Sequence, residues 1–408
     1  MKWLFVLLGI AGGMAALVFG ARFLIRGNSF EILGGTDATR ENAEELISGF
    51  FTKIPKETPL QKPLPNPPKI IRGVYLTAWS AGSPNMIENI IAHAKDSEIN
   101  AVILDIKDHT GILSYRTSIP EVNKMEAWEE RIKDVNGVIK KFHDAGIYVI
   151  ARITVFQDPI LTAHRPDLAI HDTRKISSST SISKDTRWLD NKKAGWLDPA
   201  ARPAWEYIAT IGKDAASRGF DELNFDYIRF PSDAGLEYTR FLSWDENTRR
   251  ETALKAFFEY LRAALPGVKI SADVFGQTTV TYKNDMGIGQ VIEDSYENFD
   301  VVSPMLYPSH YVKNFIGLEN AAASPYEVVQ FSMEHAKRRL DAMGTSTTAT
   351  IRPWLQDFDL RGVAYTPDMV RAQIKATKDA MGTAYTGYYL WDPENTYTWS
   401  ELKEQVAQ

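Results

Sequence analysis

The stretch 220–233, FDELNFDYIRFPSD, holds the residues best placed to do chemistry. Leu223, Phe225 and Tyr227 alternate with Glu222, Asn224 and Asp226, the pattern of a strand with one apolar and one polar side. The polar side ends in Asp226, and the chain breaks soon after at Arg229-Phe230-Pro231. An acid on a core face is costly unless it is paired, whereas an acid at a strand end is available for reaction. A second acid, Asp273, stands among small and apolar neighbours in ISADVFG. Two such carboxyls suffice to break a glycosidic bond: one protonates the leaving oxygen, and the other attacks the anomeric carbon or activates a water.

Further polar and aromatic residues fall at comparable places. AVILDIKDHTG carries Asp105 and Asp108, ARITVFQDP carries Arg152, and Asn224 and Arg229 flank Asp226. MLYPSHY supplies Tyr307 and His310, a later run supplies Trp354, and YYLWDPENTY supplies Trp391 and Asp392. Asp226 and Asp273 form the candidate catalytic pair, and these ten residues the candidate substrate-binding set. Each has a structural rival role. An acid can hold Arg152 or Arg229 in a buried ion pair, Asp105 can pair with Lys107, and Asp-Pro after a strand is ordinary turn chemistry. Glu222 lies too early in its strand to reach the same end and reads as structural.

These residues need a scaffold that brings strand ends together. Strand-like runs occur at 72–80, 101–108, 147–156, 222–230, 269–276, 300–307, 348–354 and 387–391. Amphipathic helical patterns lie between them at 85–96, 134–145, 204–218, 248–264, 326–342 and 367–381, with only a short one near 288–293. Strands alternating with helices imply a parallel sheet, and eight of them predict an α/β fold of the (β/α)8 TIM-barrel type. The long connections at 112–131, 159–203 and 277–299 then belong to the face where the strands end. The 159–203 insertion, with Trp188 and Trp196, reads as a lid or a cleft wall.

Several chemistries drop out. The chain has no cysteine, so disulfides, thiolate catalysis and cysteine-ligated zinc are excluded. His109, His164, His171 and His310 show no HxH or HExxH spacing, so no metal is expected. Lys107 stands near two aspartates that would keep it protonated, against a Schiff base. There is no GxSxG for a serine hydrolase and no phosphate-cradling glycine motif, so no cofactor is expected. A net charge of −6 argues against a nucleic-acid partner. The 10 Trp, 17 Tyr and 19 Phe supply flat rings of the kind that stack on sugars.

Residues 3–21 form an apolar stretch after Lys2, long enough to span a bilayer and with no clear cleavage site. Residues 1–26 are therefore expected to be a signal anchor rather than a cleaved signal peptide. Residues 27–69 are expected to be a polar, Pro-rich linker, with a short helix at 41–51, holding the 70–408 domain off the cytoplasmic membrane on its outer side.

The runs RGVYLTAW (72–79), NAVILDIKDHTG (100–111), ARITVFQDP (151–159), WLDPAARPAW (196–205), FDELNFDYIRFP (220–231), SADVFG (271–276), VVSPMLYPSHY (301–311) and GYYLWDPENTY (387–397) together resemble a bacterial family of glycoside-hydrolase-like TIM-barrel domains. The likeness spans essentially all of 70–397. DYIRFP also resembles the fourth-strand signature of α-amylase- and α-galactosidase-type barrels, which implies that Asp226 is the nucleophile. In the α-amylase type the proton donor is a glutamate on strand five, and this chain departs from that pattern with Asp273. The resemblance implies hydrolysis of a polysaccharide or oligosaccharide. The alternative is a membrane-tethered barrel that binds carbohydrate without cleaving it.

Overall fold

The computed structural model describes residues 22–26, 29–33, 58–177, 181–282, 284–360 and 362–403. The 3–21 stretch and the helix expected at 41–51 lie outside them. The chain divides into Met1–Glu57 and Thr58–Gln408. In the first unit Arg22–Arg26 pairs antiparallel with Ser29–Leu33. Among the described residues no helix is long and apolar enough to cross a membrane.

The second unit is a closed parallel barrel. Its strands are β1 (Ile71–Leu76), β2 (Ala101–Lys107), β3 (Tyr148–Thr154), β4 (Glu222–Asp226), β5 (Ile270–Phe275), β6 (Val301–Leu306), β7 (Thr350–Ile351 continued by Trp354–Gln356) and β8 (Gly387–Trp391). Each pairs in parallel with its neighbours, and β8 returns to β1 through Gly387 beside Ile71. The connecting helices are α1 (Pro84–Lys95), α2 (Val135–Asp144), α3 (Arg202–Ser217), α4 (Arg250–Ala264), α5 (Ile292–Asn298), α6 (Pro325–Met343) and α7 (Pro367–Met381). Proline in the first turn of α1, α3, α6 and α7 fixes φ where the missing N–H costs nothing.

Alternation along the strands divides the core in two. Leu223 and Phe225 of β4 pack outward with Leu104, Val149 and Val302 against the helices. The inward set includes Ile103, Tyr148, Ile150, Trp354 and Tyr389. Glu222 belongs to the lower interior, where it meets Arg352 Nη1 at 3.1 Å and the Tyr389 hydroxyl at 2.9 Å. Burial opposes its charge most, but Arg352 together with Lys269, Ser271 and Tyr389 outweighs it and holds the carboxyl below the usual range.

Three elements end differently from the sequence pattern. β1 stops at Leu76 because Thr77 caps a single helical turn, Ala78–Ala81. β4 stops at Asp226 because Tyr227 turns to φ +55°. β7 is interrupted at Arg352-Pro353, where proline has no N–H for the ladder. The 159–203 insertion is packed, with Trp188 and Trp196 buried. It is tied to the loop after β4: His171–Asp172 pairs with Thr239–Arg240, and the Asp198 carboxylate accepts backbone N–H bonds from Leu242, Ser243 and Trp244. Both loops follow strand ends, of β3 and β4, and so lie on the face where the strands end.

Candidate active site

Arg152 is the hub of the barrel mouth. It projects from β3 directly beside Asp105 of β2. Nη1 donates to Asp105 and Nη2 to Asp226, and Nε lies 3.9 Å from an oxygen of Asp273. The register of β4 and β5, with Phe225 beside Ala272, continues one residue on to set Asp226 beside Asp273. Neighbouring strands are ~4.8 Å apart, and one guanidinium, Arg152, reaches both carboxyls, Asp226 through Nη2 and Asp273 at 3.9 Å from Nε.

The two acids are held differently. Asp226 accepts from Arg152 and, at 2.5 Å, from the Tyr227 N–H, which the left-handed turn aims back at it. Asp273 is buried within β5, and one oxygen accepts from Asn224 Nδ2 at 2.8 Å and Trp354 Nε1 at 2.7 Å. Burial, and next the charge of Asp226, push its pKa well up, against the opposing pull of Arg152 and those two donors. Asp105 is also raised by burial, with Arg152 and the Tyr75 hydroxyl opposing. Burial works against the charge on Arg152, and Asp105 and Asp226 outweigh it.

Of the candidate set, the structure brings Asp105, Arg152, Asn224, Asp226, Asp273, Trp354 and Trp391 into one connected group. The Trp391 ring stacks on Tyr75 at 3.9 Å and faces the Arg152 guanidinium at 5.0 Å. Trp354 is fully buried and serves the floor through its bond to Asp273. Tyr307 lies at the rim, with its hydroxyl pKa raised by burial and by the nearby charges of Asp273 and Asp226. His310 is exposed and tilts against Tyr307 and Phe358. Arg229 lies on the β4 side among three rings. Asp108 is drawn away to Arg131 at 2.6 Å and to Thr110, and Asp392 accepts the N–H groups of Glu394 and Thr396.

Two participants were not singled out from the sequence. Tyr75 donates to Asp105 at 2.5 Å, and it occupies the inward phase of Ile71, Gly73 and Tyr75 on β1, which alternation alone would have marked. Asp357, after β7, is held by Thr398, and burial pushes its pKa up to about 6. No group of acids and histidines able to hold a metal ion occurs among the described residues.

A family model described as "Putative glycosyl hydrolase domain" matches residues 73–397. Among solved structures, the glycoside hydrolase domain of PgaB (BpsB) from Bordetella bronchiseptica shares the fold at 16% identity and TM-score 0.53, covering 83% of this chain and all (100%) of that one. A hypothetical protein from Ruminiclostridium thermocellum ATCC 27405 matches at 37% identity and TM-score 0.44, over 49% of this chain and 97% of its own. The α-galactosidase TtGalA from Thermus thermophilus matches at 14% identity and TM-score 0.48, over 93% and 73%. No curated protein sequence matches the chain.

Proposed function

The chain belongs to this family of glycosyl hydrolase domains, and from that premise we propose that it cleaves an extracytoplasmic polysaccharide with Asp226 as nucleophile and Asp273 as proton donor. The observation that carries the assignment is the contrast between neighbouring carboxyls. Asp226 is bound by the Arg152 guanidinium and the Tyr227 N–H, while Asp273 is buried, and burial followed by the charge of Asp226 pushes its pKa well up. A buried carboxyl with a raised pKa suits a proton donor, and a carboxyl positioned by an arginine suits a nucleophile.

In the first step an Asp226 oxygen bonds to the anomeric carbon as the glycosidic bond breaks, and the Asp273 proton passes to the leaving oxygen. In the second, water attacks the glycosyl ester, Asp273 takes its proton, and Asp226 is released as carboxylate. Strands ~4.8 Å apart set the acids near the short spacing that serves retention of configuration. Arg152 orients Asp226, and Trp391 offers ring surface beside it while the buried Tyr75 stacks against that ring.

Asp226→Asn is expected to lower release of reducing ends from a bacterial exopolysaccharide by about a thousandfold with the fold intact by circular dichroism. Unchanged turnover sinks the assignment. The ion pair between Arg152 and Asp226 favours a second reading, a barrel that binds sugar without cleaving it. Saturable glycan binding with no bond cleavage by the wild type would select that reading. The apolar 3–21 stretch supports placement outside the cytoplasmic membrane, and accessibility of the domain to protease in intact spheroplasts tests it.

A further inference from the structure

Arg229 is a cation at the mouth with a free binding edge. Its guanidinium lies 4.8 Å from the Trp196 ring, 5.3 Å from Tyr227 and 4.8 Å from Phe275. Tyr227 directly follows Asp226, and Phe275 shares the inward phase of Asp273 two residues earlier, so the guanidinium lies on the Asp226 side of the mouth, within reach of that acid's charge. Nη1 is used by the Phe230 carbonyl at 3.0 Å and the Ser232 hydroxyl at 3.2 Å. Nε and Nη2 have no hydrogen-bond partner among the described residues. Asp226, Asp233 and Asp190 act on the group only through space, and Asp226 is taken by Arg152 and the Tyr227 N–H. Asp190 is occupied by Gln157 and Trp196, and Asp233 by Asn191.

The Nε–Nη2 edge presents two parallel N–H donors, the geometry that matches both oxygens of a carboxylate. Three aromatic rings flank the guanidinium, and burial, the largest influence on it, lowers its pKa from the usual arginine value. Arg152 cannot serve the same purpose, because Asp105 and Asp226 already take both of its terminal nitrogens. We propose that Arg229 binds the carboxylate of an acidic sugar next to the scissile bond, so that the substrate is a uronic-acid-bearing glycan. This rests on the glycan-cleaving reading of the same site and adds the charge class of its substrate.

The test uses the full chain carrying Asp226→Asn, to prevent turnover. Short oligomers of galacturonate, glucuronate and mannuronate are titrated against their methyl esters, with tryptophan fluorescence as the readout beside Trp196. At least one acid oligomer should bind about tenfold or more tightly than its ester, the scale of a charge-assisted pair. Arg229→Met should erase the difference, and Arg229→Lys, which keeps the charge but loses the fork, should retain part of it. Equal affinity for acid and ester, no binding of any acid form, or a preference that survives Arg229→Met in a folded protein overturns the proposal. If acid preference holds while the wild type cleaves no glycan, the subsite stands and the hydrolase reading falls. Cleavage of neutral glycans without acid preference gives the reverse.

Discussion

At the scale of residues, the mouth is governed by how three carboxyls share one guanidinium. Asp105 and Asp226 hold the two terminal nitrogens of Arg152, and Asp273 is left with a distant contact and the penalty of burial. That imbalance predicts a pH signature. Asp273 titrates near about 3.9 when unfolded, and its native pKa lies well above the ordinary value. Between the two, the native state holds the extra proton, so its contribution makes stability fall as pH rises. Activity that needs the Asp273 proton is lost on the alkaline side, as pH passes its native pKa. Asp273→Asn should lower kcat by about 10²- to 10⁴-fold yet melt higher than wild type, with a larger gain at pH 7 than at pH 4. A gain that is the same at both values would show that Asp273 is not protonated in the native state. Asp226 and Asp273 were legible as strand-end acids, and Glu222 as too early in its strand. Tyr75 was passed over because a tyrosine in an apolar run looks like core until its hydroxyl partner is seen.

At the scale of elements, the eight strands and their helices followed from periodicity, but their ends did not. β4 is short because Tyr227 adopts φ +55°, and that turn delivers an N–H to Asp226. No residue type announces a left-handed tyrosine; the tertiary contacts impose it. The α5 element, seven residues in Ile292–Asn298, fills the gap where the sequence pattern was weakest. Closure of the barrel depends on Gly387 at the start of β8. Its φ is +114°, and a side-chain carbon there would meet the Ile71 carbonyl oxygen at 1.7 Å. Gly387→Ala must therefore separate β8 from β1 or strain the backbone, at a cost of at least about 2 kcal/mol. Urea unfolding measures this, and a change below about 0.5 kcal/mol would mean that the strand junction relaxes freely.

At the scale of the molecule, the compact unit begins at Thr58, within the Pro-rich stretch. Asn136 Nδ2 donates to the Thr58 carbonyl at 2.8 Å, the Thr58 hydroxyl to Asp134 at 2.6 Å, the Gln61 N–H to the Arg218 carbonyl at 3.2 Å, and the Leu64 N–H to Asp221 at 2.5 Å. At about 1 kcal/mol net for each bond, a fragment starting at 58 should melt a few degrees above one starting at 70, roughly 2–4 °C per kcal/mol or less for a unit of this size. Identical melting curves would show that the segment is only a spacer. The sequence by itself determined the alternation of strand and helix, the acids at the strand ends and the exclusion of thiol chemistry, because side-chain period and residue type are local properties. Only the tertiary structure decided which acid is buried with a raised pKa, which arginine is spent on ion pairs and which has a free edge. Those depend on distances between strands that lie far apart in the chain, and on burial that no single strand creates.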